Sequence, residues 1–256
     1  MTSAERLYRE FKHDIVTCVL PPGMPLSEGE LAKRYKTSRT PVREACRLLA
    51  NEAFITIIPF RGYFVAPLTI SEFNNLQEVQ LIVDPSAADL AAVRATPRQV
   101  DEMDVWARYQ YKDKQKSSYY EFLEQNRNLH IGIARASGNN YLVDIVSSVH
   151  TRLMRYFYLG LSVDSFGSEI VREHSVIIDA IRKHKSAEAR KLTHQHVLNT
   201  MRRSARIFYP GQDGAGLCGQ FTIQEQAQQL ATSEPVRRRS SGTARKKSRP
   251  GVRVGR

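Results

Sequence analysis

Apolar residues recur at every third or fourth position through most of the chain, which is the period of an amphipathic α-helix. In the first such segment, one helical stripe is formed by Leu7, Phe11, Ile15 and Val19. Proline and glycine end this segment at residues 21–25. Ser27 and Glu30 then form the capping-box pattern that begins a short helix, and Ser38 is predicted to cap the next one.

The segment TSRTPVREACRLLANE, residues 37–52, separates charge from apolar surface. Residues four apart lie above one another on a helix, so one stripe contains Arg39, Arg43 and Arg47. The other stripe contains Val42, Ala45, Cys46 and Leu49. We therefore expect one face of this helix to pack and the other to meet negative charge.

Two β-branched and aromatic runs follow, FITIIP and GYFVAP, separated by FRG. They predict a two-stranded hairpin, with Gly62 supplying the positive φ of a tight tip. Three helices followed by a hairpin, within the first 68 residues, are typical of a winged helix-turn-helix.

Beyond Thr69 the strand pattern ceases and helical periods continue. They predict helices over 70–94, 97–114, 118–136, 140–160, 166–184 and 187–207. Thr96, Asn139 and Ser186 mark three of the starts. The expected fold class is mostly α: a winged helix-turn-helix over 1–68, an all-α effector-binding and dimerisation domain over 69–209, and a disordered basic tail over 210–256.

The net charge of +12 is unevenly distributed along the 256 residues. Residues 1–67 carry ten lysines and arginines against seven acidic residues, residues 68–235 carry nineteen of each, and residues 236–256 carry nine and none. No stretch approaches the roughly 18 apolar residues of a membrane helix, and the N-terminus lacks the apolar core of a signal peptide. We expect a cytoplasmic protein with no membrane partner. Its cysteines fit no metal or redox spacing, and Cys18 and Cys46 are predicted to be buried, with Cys218 unassigned.

An arginine stripe by itself is equally typical of a solvated helix face. Here it follows a short helix and a tight turn, and it precedes a hairpin with Arg61 at its tip, so arginines from two elements would share one surface. Arg39 and Arg43 lie in the first part of the helix, where recognition helices reach base edges, with Thr40 between them. We expect Arg47 to contact phosphate or solvent.

The first part of the chain resembles the DNA-binding domain of the GntR family of bacterial transcription regulators. The resemblance covers nearly all of residues 7–67, through PGMPLSEGELA, SRTPVREA and the wing PFRGYFV. It implies that Arg39, Thr40 and Arg43 face an operator and that Arg61 and Gly62 approach the DNA from the wing. Ala53 departs from the family pattern, which has a glycine there.

Six of the seven histidines lie between residues 118 and 207. An isolated histidine is usually a surface residue or a satisfied core residue. Asn126 and His130, however, are four apart on one predicted helix, and His174 and His196 each lie on a later one. Three imidazoles and one side-chain oxygen from three bundled helices can surround one ion.

This second part resembles the FCD effector domain of the FadR subfamily of GntR regulators. The resemblance spans about residues 69–207 and rests on LQEVQLIVDPSAADLAA, FLEQNRNLHIGIARASGNNYL, EHSVIIDAI and ARKLTHQHV. In metal-binding members, the positions of Asn126, His130, His174 and His196 hold an aspartate and three histidines. The resemblance implies a divalent transition metal such as Zn or Ni that helps to hold an effector carboxylate.

Two departures bear on that site. Asn126 offers a neutral amide oxygen, a poorer ligand for a dication than the usual aspartate. Gln80 stands where many members have an arginine for the effector carboxylate, and Asp84 where they have glutamate, so a neutral, aromatic or sugar-like effector becomes plausible. The remaining histidines are interpreted as non-ligands: His150, His184 and His194.

The sequence thus predicts a homodimeric, ligand-responsive regulator, a repressor rather than an enzyme, that binds an inverted-repeat operator in double-stranded DNA. Two alternatives stay open. One is a non-specific nucleic-acid binder driven by the basic tail. The other is a metal-dependent enzyme that uses the three histidines with an open coordination position.

Overall fold

The computed structural model describes residues 2–112, 115–163 and 167–208. The predictions for the tail over 210–256 and for Cys218 lie outside the described residues. None of the helices in the described part is both long enough and apolar enough to cross a membrane.

Three helices and a small sheet form the first part of the chain, which we call the head: residues 3–68. Helix α1 spans Ser3–Val16, α2 spans Glu28–Arg34 and α3 spans Arg39–Asn51. A capping box between Thr2 and Glu5 begins α1. The Ser27 hydroxyl accepts from the Glu30 backbone N–H at 3.4 Å, as the capping pattern predicts. Ser38 occupies the N-cap position of α3, as predicted, but its side chain makes no capping hydrogen bond.

The sheet has three antiparallel strands in the order β1-β3-β2: β1 Pro25–Leu26, β2 Ile55–Ile58 and β3 Gly62–Val65. The predicted hairpin is confirmed, with Ile55 opposite Val65 and Ile58 opposite Gly62. Strand β1 was not predicted, because two residues are too short to show an alternating pattern. Gly62 has the expected positive φ, at 93°, and Ala53 is held at φ 60°, in the left-handed region that a glycine enters freely.

In the described part of the chain beyond residue 68, six helices form what we call the bundle: α4 Ile70–Arg94, α5 Pro97–Ala107, α6 Lys116–Ala136, α7 Asn140–Val163, α8 Gly167–Arg182 and α9 Ser186–Phe208. The mostly helical fold class is confirmed. Thr96 caps α5 with a reciprocal bond from Gln99, and Asn139 accepts from backbone N–H groups of α7.

The predicted helix over 97–114 ends early, at Ala107. Tyr111 explains the difference. Its hydroxyl accepts from the Gly167 backbone N–H at 3.0 Å, and its ring lies edge-on to Tyr119 and Phe122. These contacts hold the connection after α5 against α6 and the start of α8, and a continued helix could not make them.

The head packs directly on the bundle. Its buried apolar core, which includes Leu7 and Phe11 of α1 and Leu49 of α3, is continuous with side chains of α6 and α7. The bundle side chains in this shared cluster are Tyr119, Phe122, Leu123, Met154, Tyr158 and Leu161. A second link is the buried Arg155, whose guanidinium donates to the Ala66 carbonyl at 2.7 Å. The two parts therefore share one apolar interface.

We predict that Leu49→Ala lowers the free energy of unfolding by about 2–5 kcal/mol, since Leu49 is fully buried and its loss leaves a cavity. Leu48→Ala is the matched control, because the neighbouring side chain is 44% exposed and should cost less than about 1 kcal/mol. Urea denaturation followed by circular dichroism measures both. Equal losses for the two variants would contradict the assignment of the packed face of α3.

Candidate functional site

Helix α3 divides its two faces as the sequence predicts. Val42, Ala45, Cys46 and Leu49 are fully buried. The opposite, exposed face carries Arg39, Thr40, Arg43 and Arg47. The wing tip adds Arg61 and Gly62, which are also exposed. All six residues predicted to bind DNA are thus available to an external partner.

Arg43 has a partner that the sequence did not reveal. Its Nε donates to Glu28 Oε1 at 2.9 Å and its Nη2 to Glu28 Oε2 at 2.8 Å. The hydrogen bonds from Arg43 lower the pKa of Glu28 below its usual value. The two residues are 15 positions apart on different helices, so no helical period links them. This pair holds the guanidinium at a fixed place on the exposed face.

The wing tip also carries Phe60, which the sequence analysis did not single out. Its side chain is fully exposed, and its backbone has φ 61°. A bulky residue rarely takes this left-handed conformation. Because its side chain is fully exposed, Phe60 forms part of the wing surface beside Arg61.

In the bundle, the structure brings together the three histidines predicted to bind metal. His130 lies on α6, His174 on α8 and His196 on α9, and all three are buried. One ring nitrogen from each lies within 4.8 Å of the others. Helix periodicity places each of them on an inward face, which is why one ion could reach all three.

Two carboxylates hold the rings of this cluster. Asp84 Oδ2 lies 3.1 Å from His130 Nδ1, and Glu173 Oε2 lies 2.7 Å from His196 Nδ1. A neutral imidazole donates one N–H and keeps one lone pair, so each of these rings keeps a free Nε2. Nε2 of His174 has no hydrogen-bond partner among the described residues. Carboxylates on the outer nitrogen of ligand histidines are typical of metal sites.

The pKa values of the clustered histidines favour neutral imidazole rings. Burial, together with the neighbouring imidazoles, lowers the pKa of His174 far below its usual value, and burial likewise lowers the pKa of His196. Partial burial would raise the pKa of Glu173, but hydrogen bonds from Arg203 and His196 outweigh it and lower the pKa to about 2. Metal ions bind the neutral imidazole rather than the imidazolium cation, and this environment favours the neutral form.

Asp84 and His150 extend the cluster in a way the sequence did not predict. His150 was interpreted as a non-ligand, but its Nε2 lies 2.8 Å from Asp84 Oδ2 and its ring stacks on His130 at 4.0 Å between centroids. The sequence gave no signal for this contact, since His150 lies 66 positions from Asp84 on another helix. His184 and His194 are exposed and lie outside both groups of buried potential ligands.

A cavity of about 50 Å³, partly open to solvent, adjoins the histidines. Its apolar wall includes Phe122, Leu123, Tyr156, Phe157, Leu161 and Ile170. Its polar end includes Gln80, Asn126, His130, His196, Thr200 and Arg203. Of the two residues predicted to bind effector, Gln80 therefore lines the cavity, whereas Asp84 lies behind it, against His130 and His150.

Among the described lining residues, Arg203 alone carries a guanidinium, and the sequence analysis did not identify it. Both of its Nη atoms donate to the Glu173 carboxylate at 2.9 Å, and Nη2 also donates to the Thr200 hydroxyl. Its side chain is nearly buried. Its charge is therefore already neutralised by Glu173, which also accepts from His196.

Known proteins match both parts of the chain. The sequence matches the family "Bacterial regulatory proteins, gntR family" over residues 3–65 and the "FCD domain" over residues 75–199. The chain belongs to the GntR family. It is a DNA-binding transcriptional regulator with an FCD effector-binding domain, and the curated relatives are transcriptional regulators.

Three relatives indicate how far this GntR regulator resembles known proteins. The "HTH-type transcriptional repressor RspR" of Escherichia coli (strain K12) is 26% identical over 193 residues, which cover 75% of this chain and 85% of that protein. The "Nta operon transcriptional regulator" of Aminobacter aminovorans is 31% identical over 132 residues, covering 52% and 62%. The solved structure of a putative GntR regulator from Rhodococcus sp. RHA1 has a TM-score of 0.64 at 18% identity, covering 80% and 98%.

We predict that Glu173→Gln lowers the free energy of unfolding of the metal-free regulator by about 1–3 kcal/mol, because Arg203 then keeps only its longer ion pair with the more exposed Glu169. Glu102→Gln is the control, since its ion pair with Arg98 is exposed and should change stability by less than about 0.5 kcal/mol. Denaturant titration in EDTA measures both. A loss at Glu173 no larger than at Glu102 would refute a structural role for the buried pair.

Proposed function

We propose that the chain is a homodimeric, sequence-specific repressor of the FadR subfamily, which binds an inverted-repeat operator and responds to a small-molecule effector in the bundle. The observation that carries the proposal is the combination of two surfaces in one chain. The head has an exposed arginine face on a recognition helix, and the bundle has a cavity that ends at a histidine cluster. The domain limits we assign are 1–68 for DNA binding and 69–209 for effector binding and dimerisation.

At the operator, Arg39 and Arg43 read bases in the major groove, with Thr40 contributing a hydroxyl. Arg47, one turn further along α3, contacts phosphate. Arg61 and Gly62 approach the DNA from the wing. The bonds to Glu28 use Nε and one N–H of Nη2, so both N–H groups of Nη1 and the second N–H of Nη2 stay available for a bidentate contact to guanine.

A homodimer presents two such heads to the two halves of an inverted repeat. The proposal of repression is supported by the relative RspR, which is named a repressor. The bacterial cytoplasm, at the nucleoid, is the location we propose for such a DNA-binding regulator.

The effector occupies the cavity beside the histidines. Gln80 replaces the family's arginine, and Arg203 is already paired with Glu173, so no unpaired guanidinium among the described lining residues waits for a carboxylate. The apolar and aromatic wall supports a neutral, aromatic or sugar-like molecule. Asn126 lines the same polar end and contributes an amide oxygen.

A divalent transition metal, Zn or Ni, is held by His130, His174 and His196, with Asn126 as the weakest of the four predicted ligands. Three converging imidazoles suit these ions. The carboxylates of Asp84 and Glu173 accept from two of the rings and make the metal-facing nitrogens of these rings more basic ligands. When bound, such an ion supplies a Lewis-acidic centre that orients an oxygen of the effector.

The route from cavity to DNA runs through the shared apolar cluster. Phe122, Leu123 and Leu161 line the cavity and also belong to the cluster that contains Leu7 and Phe11 of α1. A ligand that moves these side chains acts directly on the packing of the head. It changes DNA affinity only by its differential affinity for the two arrangements, typically about 1–3 kcal/mol.

We predict that Arg43→Ala reduces the preference for the operator over random DNA by about 1–3 kcal/mol, through loss of base contacts. An operator selected from a random library, followed by fluorescence anisotropy with both DNAs, provides the measurement. Arg98→Ala removes an exposed arginine of α5 and is the control. Undiminished discrimination by a folded Arg43→Ala protein would refute the assignment.

We predict that purified protein reloaded with Ni²⁺ and then dialysed retains about one ion per chain, and that His130→Ala with His174→Ala loses it, since both imidazoles are ligands. Inductively coupled plasma mass spectrometry measures the metal. The control is His184→Ala with His194→Ala, which removes two imidazoles outside the cluster. Retention of nickel by the first double variant would count against this site.

A further inference from the structure

A second set of metal-binding atoms adjoins the three-histidine site. Asp84 on α4, His130 on α6 and His150 on α7 are all buried, and one ligand atom from each lies within 4.8 Å of the others. Asp84 Oδ2 is 2.8 Å from His150 Nε2 and 3.1 Å from His130 Nδ1. Ligand atoms around a tetrahedral or octahedral ion lie at about this separation when each bond is 2.0–2.2 Å.

The hydrogen bonds within this set leave several buried acceptors unused. Among the described residues, Asp84 Oδ1, Gln80 Oε1 and His150 Nδ1 have no partner. The Gln80 amide already donates to Asp84 Oδ2, so its carbonyl oxygen belongs to the same neighbourhood. Buried polar atoms without partners are rare and call for an explanation by water, ion or ligand. Because Asp84 Oδ1 and Gln80 Oε1 are acceptors, a cation is one group that would satisfy them, whereas His150 Nδ1 carries the ring proton once Nε2 binds an ion.

The two metal positions cannot both use His130 in the same way. In the three-histidine position, its Nδ1 donates to Asp84 and its Nε2 binds the ion. In the second position, its Nδ1 binds the ion and Asp84 becomes a direct ligand. Two dications bridged by one deprotonated imidazole would also leave a large net positive charge in the core, which is costly. The geometry therefore favours one ion at either position.

The ligands of the two positions have different preferences. Three imidazoles suit Zn, Ni and Cu, whereas carboxylate and carbonyl oxygens suit Mn, and two histidines with one carboxylate are a common set for Fe(II). Asp84 also offsets one charge of a dication inside the bundle, which three neutral imidazoles do not.

We infer that Asp84, His130 and His150 form a second, alternative metal position, which Mn²⁺ or Fe²⁺ occupies, whereas Ni²⁺ and Zn²⁺ occupy the position formed by His130, His174 and His196. The exclusive use of His130 rests on the metal site of the proposed function, but the ligand set of the second position stands on its own contacts. The bundle would then distinguish metal ions by position, and Asp84 would act as ligand for one class and as orienting carboxylate for the other.

The test uses the full chain, stripped with EDTA, and two ions as probes. Mn²⁺ binding is measured by the loss of the free-ion signal in electron paramagnetic resonance, and Ni²⁺ binding by mass spectrometry after equilibrium dialysis. We expect His150→Gln to weaken Mn²⁺ binding at least about 10-fold and Ni²⁺ binding less than about 3-fold. We expect His174→Gln to have the reverse effect, as loss of one ligand acts only where that ligand binds.

A second measurement uses the unaltered protein, so that a folding defect in a variant cannot obscure the answer. Saturation with Ni²⁺ should displace Mn²⁺, with a total near one ion per chain. Circular dichroism and DNA binding check the fold of both variants.

Three results would overturn the inference: no Mn²⁺ binding by the unaltered protein, Mn²⁺ binding that depends on His174 but not on His150, or simultaneous binding of both ions. Ni²⁺ binding that still depends on His174 would leave the proposed metal site intact in the first two cases. Mn²⁺ binding that depends on His150, without any Ni²⁺ binding, would instead remove the three-histidine site and support the second position. None of these results bears on operator recognition by Arg43, which is measured separately.

Discussion

The requirement that buried charge be paired governs the interior of the bundle. Asp84 is stabilised by N–H groups of His130 and His150, and Glu173 by Arg203 and His196. Each carboxylate would be costly to bury alone, and removal of either partner leaves the other uncompensated. The hydrogen bonds that compensate the buried carboxylates therefore also fix the orientation of the histidine rings. The site and the stability of the bundle depend on one network.

The sequence predicted those features that arise from local periodicity. The arginine stripe of α3, the hairpin and five of the six bundle helices followed from apolar spacing, because a helix or strand repeats its burial every few residues. The end of α5 at Ala107 did not follow, since it depends on Tyr111 meeting Gly167 across the fold. Residues 108–112 carry no strong local stop signal.

The candidate metal site likewise has residues that the sequence could identify and residues that it could not. His130, His174 and His196 could be selected because the resemblance and helical spacing both place them inward. The partners that orient them could not be selected, since Glu173 reaches His196 on the next helix and His150 reaches Asp84 from 66 positions away. Glu28 and Arg43 are a third example. Contacts between side chains of different elements depend on the packing, and no single-sequence period encodes them.

The ion pair between Glu28 and Arg43 bears on the entropy of recognition. An arginine that is free in solution samples many rotamers, and ordering such a side chain at an interface costs about 0.5–1.5 kcal/mol. Here α2 selects one orientation before DNA arrives, so that cost is met during folding. A lysine at position 43 could not be held in this way, because a single ammonium lacks the two parallel donors that grip both oxygens of a carboxylate. Through Glu28, the short helix α2 thus orients the arginine that is proposed to read the operator.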